Sequence, residues 1–155
     1  MTATIADRFL RRLVIVGCSS RKTSSSTPIP ALDLYQGGVV VPLRARIGRD
    51  ARARARVRVL SGEHGIINAD APLLPYDRQL SIDRARALRG QVAASLRLEM
   101  ARDGVPNEVL LVVEPLYLVL VADLLAQPSV RVYWLPEPAT DWPRAAAILD
   151  GWGWP

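Results

Sequence analysis

The chain alternates between short apolar runs and longer segments with a helical repeat. Leu13-Val14-Ile15-Val16 is an uninterrupted apolar run closed by Gly17, the pattern of a parallel strand covered on both faces. Residues 54–60 alternate, with Arg54, Arg56 and Arg58 on one side and Ala55, Val57 and Val59 on the other. That period predicts a strand, and its arginines predict a face that is wet or close to a sheet edge. Residues 109–113 and 130–135 read as two further strands. Between the strands lie helical patterns. Residues 42–53 form one, with Pro42 in its first turn. Residues 81–102 form a long amphipathic one, with Ala85, Leu88, Val92, Leu96 and Met100 at three- and four-residue spacing. Ser81 is placed to cap it, and Gly104 and Pro106 to end it. Residues 116–125 continue as a helix packed on the sheet, and the Ser/Thr/Pro-rich residues 23–30 read as a loop.

This order predicts an α/β fold: a three-layer sandwich around a mainly parallel four-stranded sheet with right-handed crossovers. At 155 residues the expectation is a single domain, 1–155. Residues 1–12 form an N-terminal extension. Residues 139–155 form a tail with three of the four tryptophans, Trp142, Trp152 and Trp154, which closes the core or makes a homodimer contact. No apolar stretch reaches the roughly 18 residues of a membrane span, and residues 1–12 lack the apolar region of a secretory signal. The single cysteine excludes an internal disulfide and fits a reducing cytoplasm.

Charge changes the picture in one place. The net charge is +5, with one lysine and nineteen arginines. Arg44, Arg46, Arg49, Arg52, Arg54, Arg56 and Arg58 fall within residues 44–58, opposed only by Asp50. Such a segment is either a solvated face or a patch that attracts polyanions.

Loops at the carboxyl ends of parallel strands converge on one crevice, where ligands bind. Here they present Cys18, Ser19, Arg21 and Lys22 after the first strand, and Ser61, Gly62, Glu63 and His64 after the second. Glu114 and Tyr117 follow the third strand and Glu137 the fourth, while Pro75-Tyr76-Asp77 lies downstream of the second loop. The only cysteine, lysine and histidine of the chain all fall in the first two loops. Arg21 and Lys22 suit an anion. Glu114 follows an apolar run, so its carboxylate starts beside a buried strand and needs partners. Each group also has a plainer use: Cys18 as a small buried residue, His64 in packing, Glu63 in solvent, Tyr76-Asp77 as a turn. One histidine and one cysteine are too few for a zinc site, and neither a P-loop nor a GxGxxG pattern occurs. No metal and no cofactor are expected.

The run Val57-Arg58-Val59-Leu60-Ser61-Gly62-Glu63-His64-Gly65-Ile66-Ile67, followed by Leu74-Pro75-Tyr76-Asp77, resembles the motif of the peroxide-stress protein YaaA family. It is still more similar to small, largely uncharacterised relatives of that family. In those, a Cys-x-x-Arg-Lys loop and a Leu-Tyr dipeptide precede a Leu-Ser-(Ala/Gly)-x-(Tyr/His)-Gly-Leu motif, whose last position is Ile66 here. Cys18, Arg21, Lys22, Leu34, Tyr35, Leu60, Ser61, His64, Gly65, Pro75 and Tyr76 match, with a weaker echo at Glu114 and Tyr117. The resemblance implies a uracil-DNA-glycosylase-like fold, related also to a domain of archaeosine-type tRNA-modification enzymes. It further implies a nucleobase, nucleotide or nucleic-acid ligand.

The leading expectation is an enzyme that hydrolyses the N-glycosidic bond of a nucleoside monophosphate or nucleoside. Arg21, Lys22 and the first-loop amides would hold phosphate. Tyr35 or Tyr76 would stack on the base. Glu114 would stabilise or attack the oxocarbenium-like sugar, and His64 or Glu63 would protonate the leaving base. The remaining candidates, Ser19, Ser61, Gly62, Asp77 and Tyr117, would line the substrate site. A second expectation is a nucleic-acid-binding, DNA-protective module that grips a backbone through residues 44–58 without catalysis. A third uses Cys18 as a reactive thiol with His64 as its base.

Overall fold

The computed structural model describes residues 5–155, with side chains from Arg8 onward. Helix α1 (Ile5–Leu10) leads into strand β1 (Arg12–Gly17). A crossover holds β2 (Ile29–Pro30), α2 (Ala31–Leu34), α3 (Val40–Ile47) and α4 (Ala51–Arg54), and delivers the chain to β3 (Val57–Ser61). Strand β4 (Gly65–Asn68) turns back antiparallel on β3, and β5 (Pro72–Leu73) pairs with β2 in a small second sheet. Helix α5 (Ile82–Asp103) carries the chain to β6 (Glu108–Val112). A 3-10 helix (Pro115–Val119) and α6 (Ala122–Leu125) follow, then β7 (Arg131–Leu135) and α7 (Trp142–Trp152).

The central sheet has five strands in the order β4-β3-β1-β6-β7, all parallel except β4. The expected four-stranded sheet is therefore short by one. The missed strand begins at Gly65, immediately after the polar loop, and its four residues are too few to show an alternation. Strand β1 is central because each of its faces is covered. Val14 and Val16 join Val57, Val59, Leu110 and Val112 under α2, α3 and α7, whereas Leu13 and Ile15 join Leu60, Val109, Leu111 and Val113 under α5 and α6.

The expected helix over 42–53 is two helices. Gly48 takes φ +56°, which an L side chain resists, and Asp50 restarts the chain by accepting from the backbone N–H of Arg52 and Ala53 at 3.0 and 3.1 Å. The expected strand over 54–60 starts three residues late. Arg54 ends α4, Arg56 lies in the following turn, and only Arg58 is in β3. Of the two alternatives for the arginine face, the wet one is wrong, since Arg54, Arg56 and Arg58 are 8%, 4% and 3% exposed, whereas β3 does lie close to a sheet edge, one strand in from β4. Arg58 is bound to the carboxylate of Glu99 on α5, with its Nε 3.1 Å from Oε2. Arg56 reaches Glu99 and Asp103 at 3.4 and 3.7 Å and donates to the carbonyls of Phe9, Leu10 and Arg12. Arg54 pairs with Asp70 at 2.7 Å. Of the same segment, Arg44 donates to the carbonyls of Leu32 and Tyr35, and Arg46 to those of Trp154 and Pro155. The segment 44–58 is thus largely turned inward and is not a free basic stripe.

The long helix over 81–102 is present as α5, with the Ser81 hydroxyl accepting from the N–H of Arg84 at 3.1 Å. The expected helix over 116–125 is divided between the 3-10 helix and α6. At the other end of the molecule, α7 returns along the sheet. Trp152 and Trp154 are 6% and 4% exposed, the Phe9 and Trp154 rings lie 5.3 Å apart, and Trp154 Nε1 donates to the Arg8 carbonyl.

Candidate functional site

The chain leaves β1 on one face of the sheet to reach β3, and later enters β6, on the other side of β1, through α5 on the opposite face. The carboxyl ends of β1 and β6 therefore sit at the point where the strand order reverses, and an open crevice is expected there. A cavity of about 500 Å3 occupies this place. Residues 17–22 form its floor after β1, Glu114 and Tyr117 its wall after β6, and Pro138 and Ala139 its edge after β7. The far wall is a strap, residues 77–80, that crosses the end of β3. The crossing requires Gly62: a Cβ there would stand 3.0 Å from the Leu80 nitrogen and 3.2 Å from the Arg78 oxygen.

The first loop is pinned by backbone bonds to the end of α2. Thr23 N–H donates to Leu34, Gln36 N–H donates to Arg21, and Lys22 bridges to Tyr35. Ser19 Oγ donates to the Arg21 carbonyl at 2.8 Å and accepts from Gly37 N–H at 3.1 Å. These bonds fix the backbone of Arg21, which is exposed and lines the cavity and whose guanidinium forms no hydrogen bond or ion pair among the described residues. Lys22 is committed elsewhere: its ammonium lies 4.5 Å from the Tyr76 ring centroid and 5.9 Å from that of Tyr35.

Beneath the first loop lies a chain of hydroxyls. Ser61 Oγ accepts from the N–H of Glu63 and His64 at 3.1 and 3.2 Å and is bonded to Tyr76 Oη at 2.5 Å. Tyr76 Oη is bonded in turn to Tyr35 Oη, and Cys18 Sγ to Tyr117 Oη at 3.3 Å. Burial pushes Tyr76 up to about 12 and raises Tyr35 well above the ordinary phenol range. Burial, followed by the neighbouring Cys18, also raises Tyr117 strongly. All three phenols stay protonated at neutral pH.

Glu114 and Tyr117 open the 3-10 helix, with Tyr117 N–H donating to the Glu114 carbonyl at 3.0 Å. Glu114, still extended, precedes the 3-10 helix and Tyr117 lies within it, and both line the cavity. The Glu114 side chain is exposed and accepts no bond among the described residues.

Of the candidates, Cys18, Ser19, Arg21, Lys22, Asp77, Glu114 and Tyr117 line one cavity. Ser61, Gly62, Tyr35 and Tyr76 stand just behind it, shaping the strap and the floor. Glu63 and His64, expected as proton donors, are not brought into the lining. The His64 ring packs edge-on against Tyr76 at 4.9 Å, and Glu63 is paired with Arg78 at 3.4 Å. Arg84 holds their turn from below, donating to the carbonyls of Gly62 and Glu63. Glu137 binds Thr140 at 3.1 Å. The residues that went unforeseen are Arg78, Gln79, Leu80 and the Gly37-Gly38 pair. The paired glycines were a turn signal; nothing local marks Arg78. Among the described residues no group of three His, Cys, Asp or Glu side chains could hold a metal ion, and no helix is long and apolar enough to cross a membrane.

Residues 13–129 match the model of a family of unknown function (DUF6884). The chain is a DUF6884 protein. The match runs from the start of β1 to just short of β7, so the DUF6884 region contains the first loop, the strap and the Glu114–Tyr117 turn. No curated protein and no solved structure matches the chain.

Proposed function

We propose that this DUF6884 protein hydrolyses the N-glycosidic bond of a nucleoside or nucleotide held in the cavity, on a uracil-DNA-glycosylase-like scaffold. The observation that carries the reading is the Glu114–Tyr117 pair. The start of the 3-10 helix brings a carboxylate without a protein partner and a phenol held protonated to the same wall of a nucleotide-sized cavity at the switch point.

In this reading Glu114 stabilises positive charge as it develops on the sugar, or forms the glycosyl intermediate directly. Tyr117 donates a hydrogen bond, or its proton, to the leaving base. The C–N bond breaks with its electron pair on the base. Water then supplies the oxygen to the sugar and, through Tyr117, a proton in place of the one given up. The buried hydroxyls of Tyr35, Tyr76 and Ser61 hold the floor in shape. The alternative of a nucleic-acid grip through residues 44–58 has little support, because Arg44, Arg46, Arg54, Arg56 and Arg58 are bound within the protein.

Incubation with a panel of nucleosides and nucleoside monophosphates, with free base followed by chromatography, tests the reading. Release of one base is expected. Glu114→Ala, an exposed and therefore structurally mild change, should lower the rate by a factor of about 1,000 or more, the scale of a lost principal catalytic group. Full activity in Glu114→Ala, or no release from any member of the panel, would overturn it.

A further inference from the structure

The charges around the cavity are unevenly placed. In strand order the walls run from the strap over β3, through the loop after β1, to the turn after β6. The cations Arg21, Lys22 and Arg78 belong to the first two, and the carboxylate of Glu114 to the last. Lys22 is held on the faces of Tyr76 and Tyr35, which leaves two guanidinium groups for a ligand. The Arg21 guanidinium has no partner among the described residues. Arg78 has one, Glu63, at 3.4 Å, with both side chains well exposed at 46% and 37%. A pair so exposed contributes little and is readily exchanged for a better anion. The two arginines come from separate segments: the first loop, held to the end of α2 by backbone bonds, and the strap, which passes close over Gly62.

We infer that Arg21 and Arg78 form a two-sided clamp for a terminal phosphate, so that the substrate is a nucleoside monophosphate and not a free nucleoside or an internal nucleotide of a strand. The inference rests on the glycosidase reading for the identity of the substrate, but the clamp itself requires only the two arginines. A phosphate monoester carries close to two negative charges at neutral pH and offers three acceptor oxygens. Two guanidinium forks can take it from both sides. A phosphodiester carries one charge and two free oxygens, and half of the clamp would stay unmatched. The phosphate would lie at the strap side of the cavity, with the sugar directed across the floor toward Glu114. On binding, Arg78 exchanges Glu63 for the phosphate, which draws the strap onto the ligand.

Calorimetric titration with inorganic phosphate tests the clamp without any chemistry. Binding is expected to weaken roughly 10- to 100-fold in Arg21→Ala and in Arg78→Ala. The control Arg89→Ala, which removes an exposed arginine of α5 that is paired with Asp123 and does not line the cavity, should not change it. Glu63→Gln frees Arg78 and should tighten binding, a gain that no unfolded variant could show. In the base-release assay, the monophosphate should exceed its nucleoside by a similar factor in the native protein and lose that advantage in both arginine variants. Equal turnover of nucleoside and monophosphate, or phosphate binding unaffected by either substitution, would overturn the clamp while leaving the glycosidase reading intact. Tighter binding of a phosphodiester-linked oligonucleotide without terminal phosphate would also overturn it. Arginine-dependent phosphate binding without base release would sustain the clamp and remove the glycosidase reading.

Discussion

Ser61 keeps its hydroxyl wholly inside the protein, accepting from two amides and bonded to the Tyr76 phenol. Ser61→Ala leaves two turn N–H groups and one phenol short of a partner, which costs about 1–3 kcal/mol. Urea unfolding should show a lower midpoint with an unchanged slope, and a midpoint within error of the native one would refute the assignment. At this scale much of the candidate site's lining was legible. Cys18, Ser19, Arg21, Lys22, Asp77, Glu114 and Tyr117 were each marked by their place at an apolar run or in a matched motif, and they line one cavity. His64 and Glu63 were chosen for their chemistry alone. Their side chains turn toward Tyr76 and Arg78, and no residue type or spacing records which way a loop side chain turns.

Strand β3 shows what a local pattern omits. The alternation in residues 54–60 announced a strand, and arginine is ordinarily a surface residue. The groups that make its burial tolerable, Glu99 and Asp103, lie some forty residues away on α5 and were invisible to that pattern. The same element carries a firm expectation. Glu99 serves two buried guanidinium groups, Arg56 and Arg58, and burial already lowers the Arg56 proton affinity. Glu99→Ala should cost about 3–5 kcal/mol, because two buried cations lose their counter-charge. The measure is urea denaturation, since guanidinium salts would screen the effect. A loss below about 1 kcal/mol, the range of surface pairs, would show that β3 is wetter than described. Edge strand β4 went unseen for a related reason: four residues after a turn carry too little periodicity to stand out.

For the whole molecule, the order of strands and helices was legible from apolar periodicity, and with it the α/β class and the end of the sheet at which to look. The strand count was not, because β4 adds an edge without adding a crossover. The three phenols at and behind the cavity, Tyr35 buried and Tyr76 and Tyr117 half-buried, give the molecule a shared alkaline limit. In the unfolded chain each tyrosine ionises near pH 10, whereas in the folded protein Tyr76 holds its proton to about 12 and Tyr35 and Tyr117 are raised further. Stability is therefore full below about pH 10 and falls above it, because only the unfolded state releases these protons. Each phenol adds up to about 1.4 kcal/mol of loss per pH unit. Unfolding free energies at pH 9 and pH 11 should differ in that sense, with a shallower fall in Tyr35→Phe. A flat profile would contradict the burial of the three hydroxyls.

The seam between Phe9 and Trp154 brings the two ends of the described chain side by side, near the amino end of β1, where Arg12 stands over the Trp152 ring at 5.7 Å. The cavity lies at the opposite end of β1, roughly 16 Å away over the five steps from Arg12 to Gly17. The stretch from Arg8 to Trp154 thus nearly closes on itself in space. A circular permutant joined across the seam and reopened in the exposed turn at 127–129 would keep every strand pairing and every loop of the cavity. Likewise, a label or tether carried at the seam would hold the molecule by its back and leave the ligand's entrance clear.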